Sequence, residues 1–210
     1  MNKSEFNSTW SSLHGGADIK GIVKAWLGIS YSSAKVLSKL HITPNILTIL
    51  GVLFAIAMAV NPLSLWAIPL LVLSLYADGI DGSVAIFQGR TSSFGAVLDA
   101  SADRISEALW FYVAYKIGAP VWLVLATYVI ASTQEYARAK LGGLGVSDLG
   151  VVTPAERPVR ASFIFVALIA YALNLNLVAI TLIALLALQL ISFFLVASFA
   201  RHSLRNNLSA

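Results

Sequence analysis

The chain has 210 residues, 58% of them hydrophobic and 11% charged, with a mean hydropathy of +0.81 and a formal net charge of +4. A soluble domain carries roughly 25% charged residues. This chain has too few to cover a water-facing surface, and its composition excludes disorder and a coiled coil. Cysteine is absent, which excludes disulfides and thiolate metal sites. The composition therefore predicts an all-α, polytopic integral membrane protein.

In chain order, residues 1–20 form a polar arm without the apolar core of a signal peptide. Residues 21–40 carry a two-sided pattern. At about 100° per residue, Ile22, Val23, Trp26, Ile29, Val36, Leu37 and Leu40 share one face, and Lys24, Lys35 and Lys39 the other. That pattern predicts an amphipathic helix lying in the membrane interface, its lysines toward lipid phosphates. Residues 41–200 contain six apolar stretches of spanning character, at 46–60, 63–77, 94–119, 121–133, 161–173 and 177–199. Turn residues separate them at Asn61-Pro62, Gly118-Ala119-Pro120 and 174–176. The glycine-rich run 142–145 reads as a hinge, and 201–210 as a polar tail. His14, His41 and His202 are scattered and receive no role.

Six spans put both termini on one side. That side collects thirteen of the 14 basic residues, from Lys3 to Arg205, leaving Lys116 alone near the other. The positive-inside rule makes it cytoplasmic. The expected location is the cell (inner or plasma) membrane, with both termini facing the cytoplasm.

Four aspartates stand where an apolar chain tolerates them least. Asp78 and Asp81 close the second stretch; Asp99 and Asp103 open the third. A carboxylate at the centre of a bilayer helix costs on the order of 3 kcal/mol, and such acids mark function by default. Spacings of three and four put the members of each pair about 60° and about 40° apart on a helix. Two adjacent antiparallel helices would bring all four together. They would then hold protons, basic partners or cations, and clustered carboxylates are the hard ligands that Mg²⁺ and Mn²⁺ favour. Gly79, Gly82 and Gly95 flank the cluster, suited to close approach of a ligand or of another helix.

The stretch 78–103 reads D-G-I-D-G-S-V-A, a connector, then G-A-V-L-D-A-S-A-D. It closely resembles the signature of the CDP-alcohol phosphotransferases (CDP-alcohol phosphatidyltransferases), D-x₂-D-G-x₂-A-R-x₈-G-x₃-D-x₃-D. Asp78, Asp81, Gly82, Ala85, Gly95, Asp99 and Asp103 match in type and spacing; the arginine does not, its position being Ile86. Arg90, four residues on, is the candidate substitute. The resemblance implies transfer of a phosphatidyl group from a CDP-activated lipid, such as CDP-diacylglycerol, to an alcohol with release of CMP. It implies two Mg²⁺ or Mn²⁺ ions on Asp78, Asp81 and Asp99, and Asp103 as general base. It further implies a nucleotide site at Gly82, Ala85 and Gly95. Asn45 and Thr48 join that site through T-P-N-I-L-T, a segment similar to one on the family's first span. A homodimer in the bilayer, and no nucleic acid, complete the implied partners.

Arg138, Lys140, Arg157 and Arg160 follow the fourth stretch. Arginine suits bidentate phosphate binding, so Arg138, Arg157 and Arg160 are candidates for binding a phosphorylated acceptor, inositol phosphate or glycerol phosphate. Positive-inside bias alone also accounts for them. E-R-P-V-R at 156–160 resembles the corresponding loop of phosphatidylinositol phosphate synthases. Two readings from other classes stay open: an ion- or proton-coupled transporter using the buried aspartates, disfavoured because the acids cluster at one membrane face, and a structural subunit, which leaves the acids unexplained.

Overall fold

The computed structural model describes residues 1–13, 15–146 and 152–207, without the side chains of 206 and 207. His14 and the end of the 201–210 tail lie outside the described residues. Among the described residues the chain forms eight helices and no strand: α1 (Lys3–Leu13), α2 (Gly21–Lys39), α3 (Pro44–Val60), α4 (Ala67–Gln88), α5 (Ser93–Lys116), α6 (Val121–Gly143), α7 (Arg157–Ala172) and α8 (Val178–Asn207). The six apolar stretches fall in order on α3 to α8. By length and hydropathy, Ala67–Gln88 and Val178–Arg205 can each cross a membrane, and Gly21–Lys39 with Pro44–Val60 can only as a pair bent by 107°.

The helix ends follow local chemistry. Pro44 opens α3 in the first turn, where its missing N–H costs nothing. Gly89, at φ 64°, and Asn174, at φ 55°, take the left-handed conformation just beyond α4 and α7. The 142–145 run is partly helical, since α6 continues through Gly143 before Gly145 turns at φ 81°. The N-terminal arm contains an unpredicted helix. Asn2 Oδ1 accepts from the Glu5 N–H at 2.9 Å, and Glu5 Oε2 accepts from the Asn2 N–H at 2.9 Å. This reciprocal pair satisfies two of the donors that open α1.

The chain divides into two compact units, the first formed by Met1–Ala57 and Val72–Ser106 and the second by Met58–Leu71 and Glu107–Ala210. In the first, α2 packs through Leu27, Ser30 and Ala34, a stripe distinct from its large apolar face. That other face is only partly covered: Trp26 and Leu37 pack inward, while Ile22 is 88% and Val36 57% exposed. Ala34 joins Leu47, Ile80 and Val84 in one buried cluster, and Leu27 joins Phe6 and Ile86 in another. The backbones of α3 and α4 come close where the Ser74 hydroxyl donates to the Gly51 carbonyl at 2.8 Å. A Cβ on Gly51 would meet the Ser74 carbonyl at 3.3 Å, so the glycine sets this approach.

In the second unit α8 packs along α6 and α7. A polar network is enclosed there. Arg160 is wholly buried and donates to Glu107, also wholly buried, to the Ala155 carbonyl at 2.5 Å and to Glu135 at 3.2 Å. Gln189 donates to Gln134 at 2.8 Å. Removing one partner of a buried ion pair leaves the other charge uncompensated, at a cost of about 3–5 kcal/mol. Arg160→Met should therefore lower stability by about that amount in detergent unfolding. A loss below about 1 kcal/mol, the scale of an exposed pair, would contradict the network's structural role.

Candidate active site

The aspartates belong to the first unit. Asp78 and Asp81 lie well inside α4, which runs on to Gln88 rather than ending at the acids, and Asp99 and Asp103 lie in the first half of α5. Asp78, Asp99 and Asp103, all half-buried, each offer a carboxylate oxygen within 4.8 Å of the other two. Asp81 stands outside this group of three and is buried. It accepts from the Thr48 hydroxyl at 2.5 Å and from the Gly82 N–H at 2.5 Å. Arg104 approaches Asp103 at 3.7 Å.

Beside the acids lies a cavity of about 470 Å³, lined by Asp78, Asp81 and Asp99 and by Asn45, Thr48, Gly82, Ala85 and Gly95. Trp10, Trp26, Ile86 and Arg90 complete the part of the wall that bears on the chemistry. Three glycines serve three purposes here. A Cβ on Gly79 would stand 2.9 Å from the Trp26 ring, so Gly79 lets α2 lay that indole on α4. A Cβ on Gly95 would meet Ser92 Oγ at 3.1 Å, and the Gly95 N–H donates to the same oxygen at 3.0 Å, capping α5. A Cβ on Gly82 would meet nothing within 4 Å and would enter the open space. Ile86, where the resemblance expects arginine, is buried against Phe6 and Leu27. Arg90 reaches the cavity wall through the turn at Gly89, because α4 has already ended.

The three arginines proposed for an acceptor lie in the second unit among carboxylates that sequence reasoning passed over. Arg138 donates to Glu156 at 2.7 and 2.8 Å. Burial raises the Glu156 carboxyl, but hydrogen bonds from Arg138 and Thr153 outweigh it and hold the group down at about 2, against an ordinary 4.5. A lowered acid contributes stability above its ordinary value and loses it as pH falls through about 2, so this pair is intact at any physiological pH. The Arg157 guanidinium sits 4.8 Å over the Trp110 ring. Arg160 is the buried member described above. Signals for the acids were present: Glu107 stands four residues after Asp103, and Glu135 three before Arg138.

The CDP-alcohol phosphatidyltransferase family model matches residues 41–198. The chain belongs to this family. An archaetidylinositol phosphate synthase from Aeropyrum pernix is 34% identical over 138 residues, 62% of this chain and 70% of that protein. A phosphatidylinositol phosphate synthase from Cutibacterium acnes is 31% identical over 144 residues, 63% of this chain and 70% of its own length. The fold is shared with the Mycobacterium tuberculosis phosphatidylinositol phosphate synthase solved with manganese and citrate, at TM-score 0.67, 22% identity, and 81% and 88% coverage of this chain and that one. The same enzyme with CDP-DAG bound gives TM-score 0.64 at 23% identity, covering 82% and 92%. As a CDP-alcohol phosphatidyltransferase, the protein is an enzyme of phosphatidyl transfer associated with membranes, which disfavours the transporter reading.

Gly82 separates folding from ligand fit. Gly82→Ala removes a helix-interior glycine, a gain of up to about 1 kcal/mol, with no protein atom to clash. Thermal unfolding should show equal or higher stability, while affinity for a CDP-lipid should fall at least about tenfold, the cost of a misplaced close contact. Unchanged affinity would remove Gly82 from the ligand wall.

Proposed function

We propose that this CDP-alcohol phosphatidyltransferase moves the phosphatidyl group of a CDP-activated lipid, such as CDP-diacylglycerol, to a phosphorylated alcohol and releases CMP in phospholipid synthesis. Inositol phosphate is the preferred acceptor, ahead of glycerol phosphate. The observation that carries this reading is one cavity with carboxylates on one side and the side-chain-free surface of Gly82 beside them. The relatives' names support the acceptor: the two described above are an archaetidylinositol phosphate synthase and a phosphatidylinositol phosphate synthase. The CDP-DAG and manganese complexes of the tuberculosis enzyme support the donor and the metal.

The donor set fits hard divalent cations, since three carboxylates converge within 4.8 Å without sulfur or imidazole. We assign Asp78, Asp81 and Asp99 to two Mg²⁺ or Mn²⁺ ions, Asp81 on the strength of the motif because its oxygens now engage Thr48 and Gly82. When bound, such ions neutralise charge on a diphosphate. Asp103 takes the proton of the acceptor hydroxyl. That oxygen forms a bond to the lipid-bearing phosphorus. The bond from this phosphorus to the bridging oxygen breaks, and CMP leaves with the electron pair. Asn45, Thr48, Gly82, Ala85 and Gly95 hold the nucleotide. Arg138 and Arg157 recognise the acceptor's phosphate, and Arg160 serves as the buried anchor in the first turn of α7.

The membrane arrangement we propose is six spanning helices, α3 to α8, with α2 in the cytoplasmic interface, both termini and the active site cytoplasmic, and a homodimer in the bilayer. The exposed apolar residues of α2, Ile22, Ile29, Val36 and Leu40, and its separate lysine face support the interfacial position. Trp66, 71% exposed, and Trp122, 60% exposed, follow the uncharged turns and suit the far interface.

CMP release from CDP-diacylglycerol, measured with inositol phosphate and with glycerol phosphate, tests the reading. Turnover should need Mg²⁺ or Mn²⁺ and favour inositol phosphate. Asp103→Asn should lower turnover by roughly 10²–10⁴-fold while CDP-lipid affinity persists. Full turnover in excess chelator, or no CMP with either acceptor, would contradict it.

A further inference from the structure

The family match begins at residue 41, so α1 lies outside it. Yet α1 is built into the same unit as the acids. Its reciprocal cap at Asn2 and Glu5 fixes its start. Phe6 is wholly buried against Leu27 and Ile86, and its ring meets Tyr31 edge-on at 5.5 Å, which in turn meets Phe87 at 5.8 Å. Residues four and seven positions after Phe6 share its side of a helix. They are Trp10 and Leu13, and both line the cavity. Ile86, the position at which the motif arginine is missing, is the contact on which Phe6 rests. An arginine there would place a charge under a buried phenyl ring, so the departure from the motif and the docking of α1 go together.

We infer that α1 is a wall of the donor site, and that Trp10 is a donor-binding residue whose indole contacts the nucleobase of the CDP-lipid. This rests on the donor reading above. Trp26 packs on Gly79; Trp10 packs on the cluster of Phe6, Leu27 and Ile86, is half-buried, and lies on the wall of a cavity that also carries the acids. A flat pyrimidine offers a π face that an indole stacks well, and such contacts carry large affinity effects. The acyl chains are the other apolar part of the donor, and CDP, which lacks them, tells the two apart.

The test compares wild type with Trp10→Leu and Trp10→Phe, measuring KM for CDP-diacylglycerol, inhibition by free CDP and Mn²⁺ binding. Trp10→Leu keeps apolar packing but loses the ring. It should weaken both CDP inhibition and KM by about tenfold, with kcat and Mn²⁺ binding little changed, and Trp10→Phe should restore most of the loss. A raised KM with unchanged CDP inhibition would put Trp10 against the acyl chains and overturn the inference. Equal behaviour of the leucine and phenylalanine variants, or of leucine and wild type, would overturn it too. Absence of CMP release from wild type would instead remove the donor reading and this inference with it.

Discussion

Carboxylates brought within a few ångströms of one another repel strongly wherever water is scarce, and Asp78, Asp99 and Asp103 are held that way by two helices. Arg104 stands 3.7 Å from Asp103, and a cation entering beside the three acids would offset their repulsion further. Asp81 has its own compensation in the Thr48 hydroxyl and the Gly82 amide, so α3 is tied to α4 at the point where the acids begin. The close backbone approach at Gly51 and Ser74 holds the same two helices together nearby. Carboxylates held this close on one wall are a poor way to stabilise a fold and a good way to hold a cation.

The second unit handles charge differently. Arg160 and Glu107 are both withdrawn from solvent and satisfy one another, with Ala155 and Glu135 taking further donors. Arg138 is held by Glu156. Such a network fixes the start of α7, since Glu156 precedes it and Arg157 and Arg160 occupy its first turn. Charge is enclosed in this unit and lines a cavity in the other.

Much of this was legible in the sequence because helix periodicity is local. The apolar stretches, the turn residues between them and the three- and four-residue spacing of the acids all follow from residues within a few turns of each other. What was not legible depends on distant partners. The packing stripe of α2 is Leu27, Ser30 and Ala34, small and mixed residues that a hydrophobic pattern passes over in favour of Ile22 and Val36. Helix α1 looked like a polar arm because only Phe6 is buried; the Asn2–Glu5 cap was its readable signal. The pairing of Glu107 with Arg160 joins residues 53 positions apart, and the turn of Asp81 toward Thr48 joins residues 33 apart. No local rule specifies either.

The central claim is that Asp78 and Asp99, together with Asp81, hold divalent cations. Mn²⁺ titration of the detergent-solubilised protein, followed by electron paramagnetic resonance, addresses it without turnover. Uptake of Mn²⁺ by wild type, lost in Asp78→Asn and in Asp99→Asn while both variants stay folded, is the result the account predicts. No uptake by wild type with or without CDP, or uptake unchanged in both variants, would contradict it.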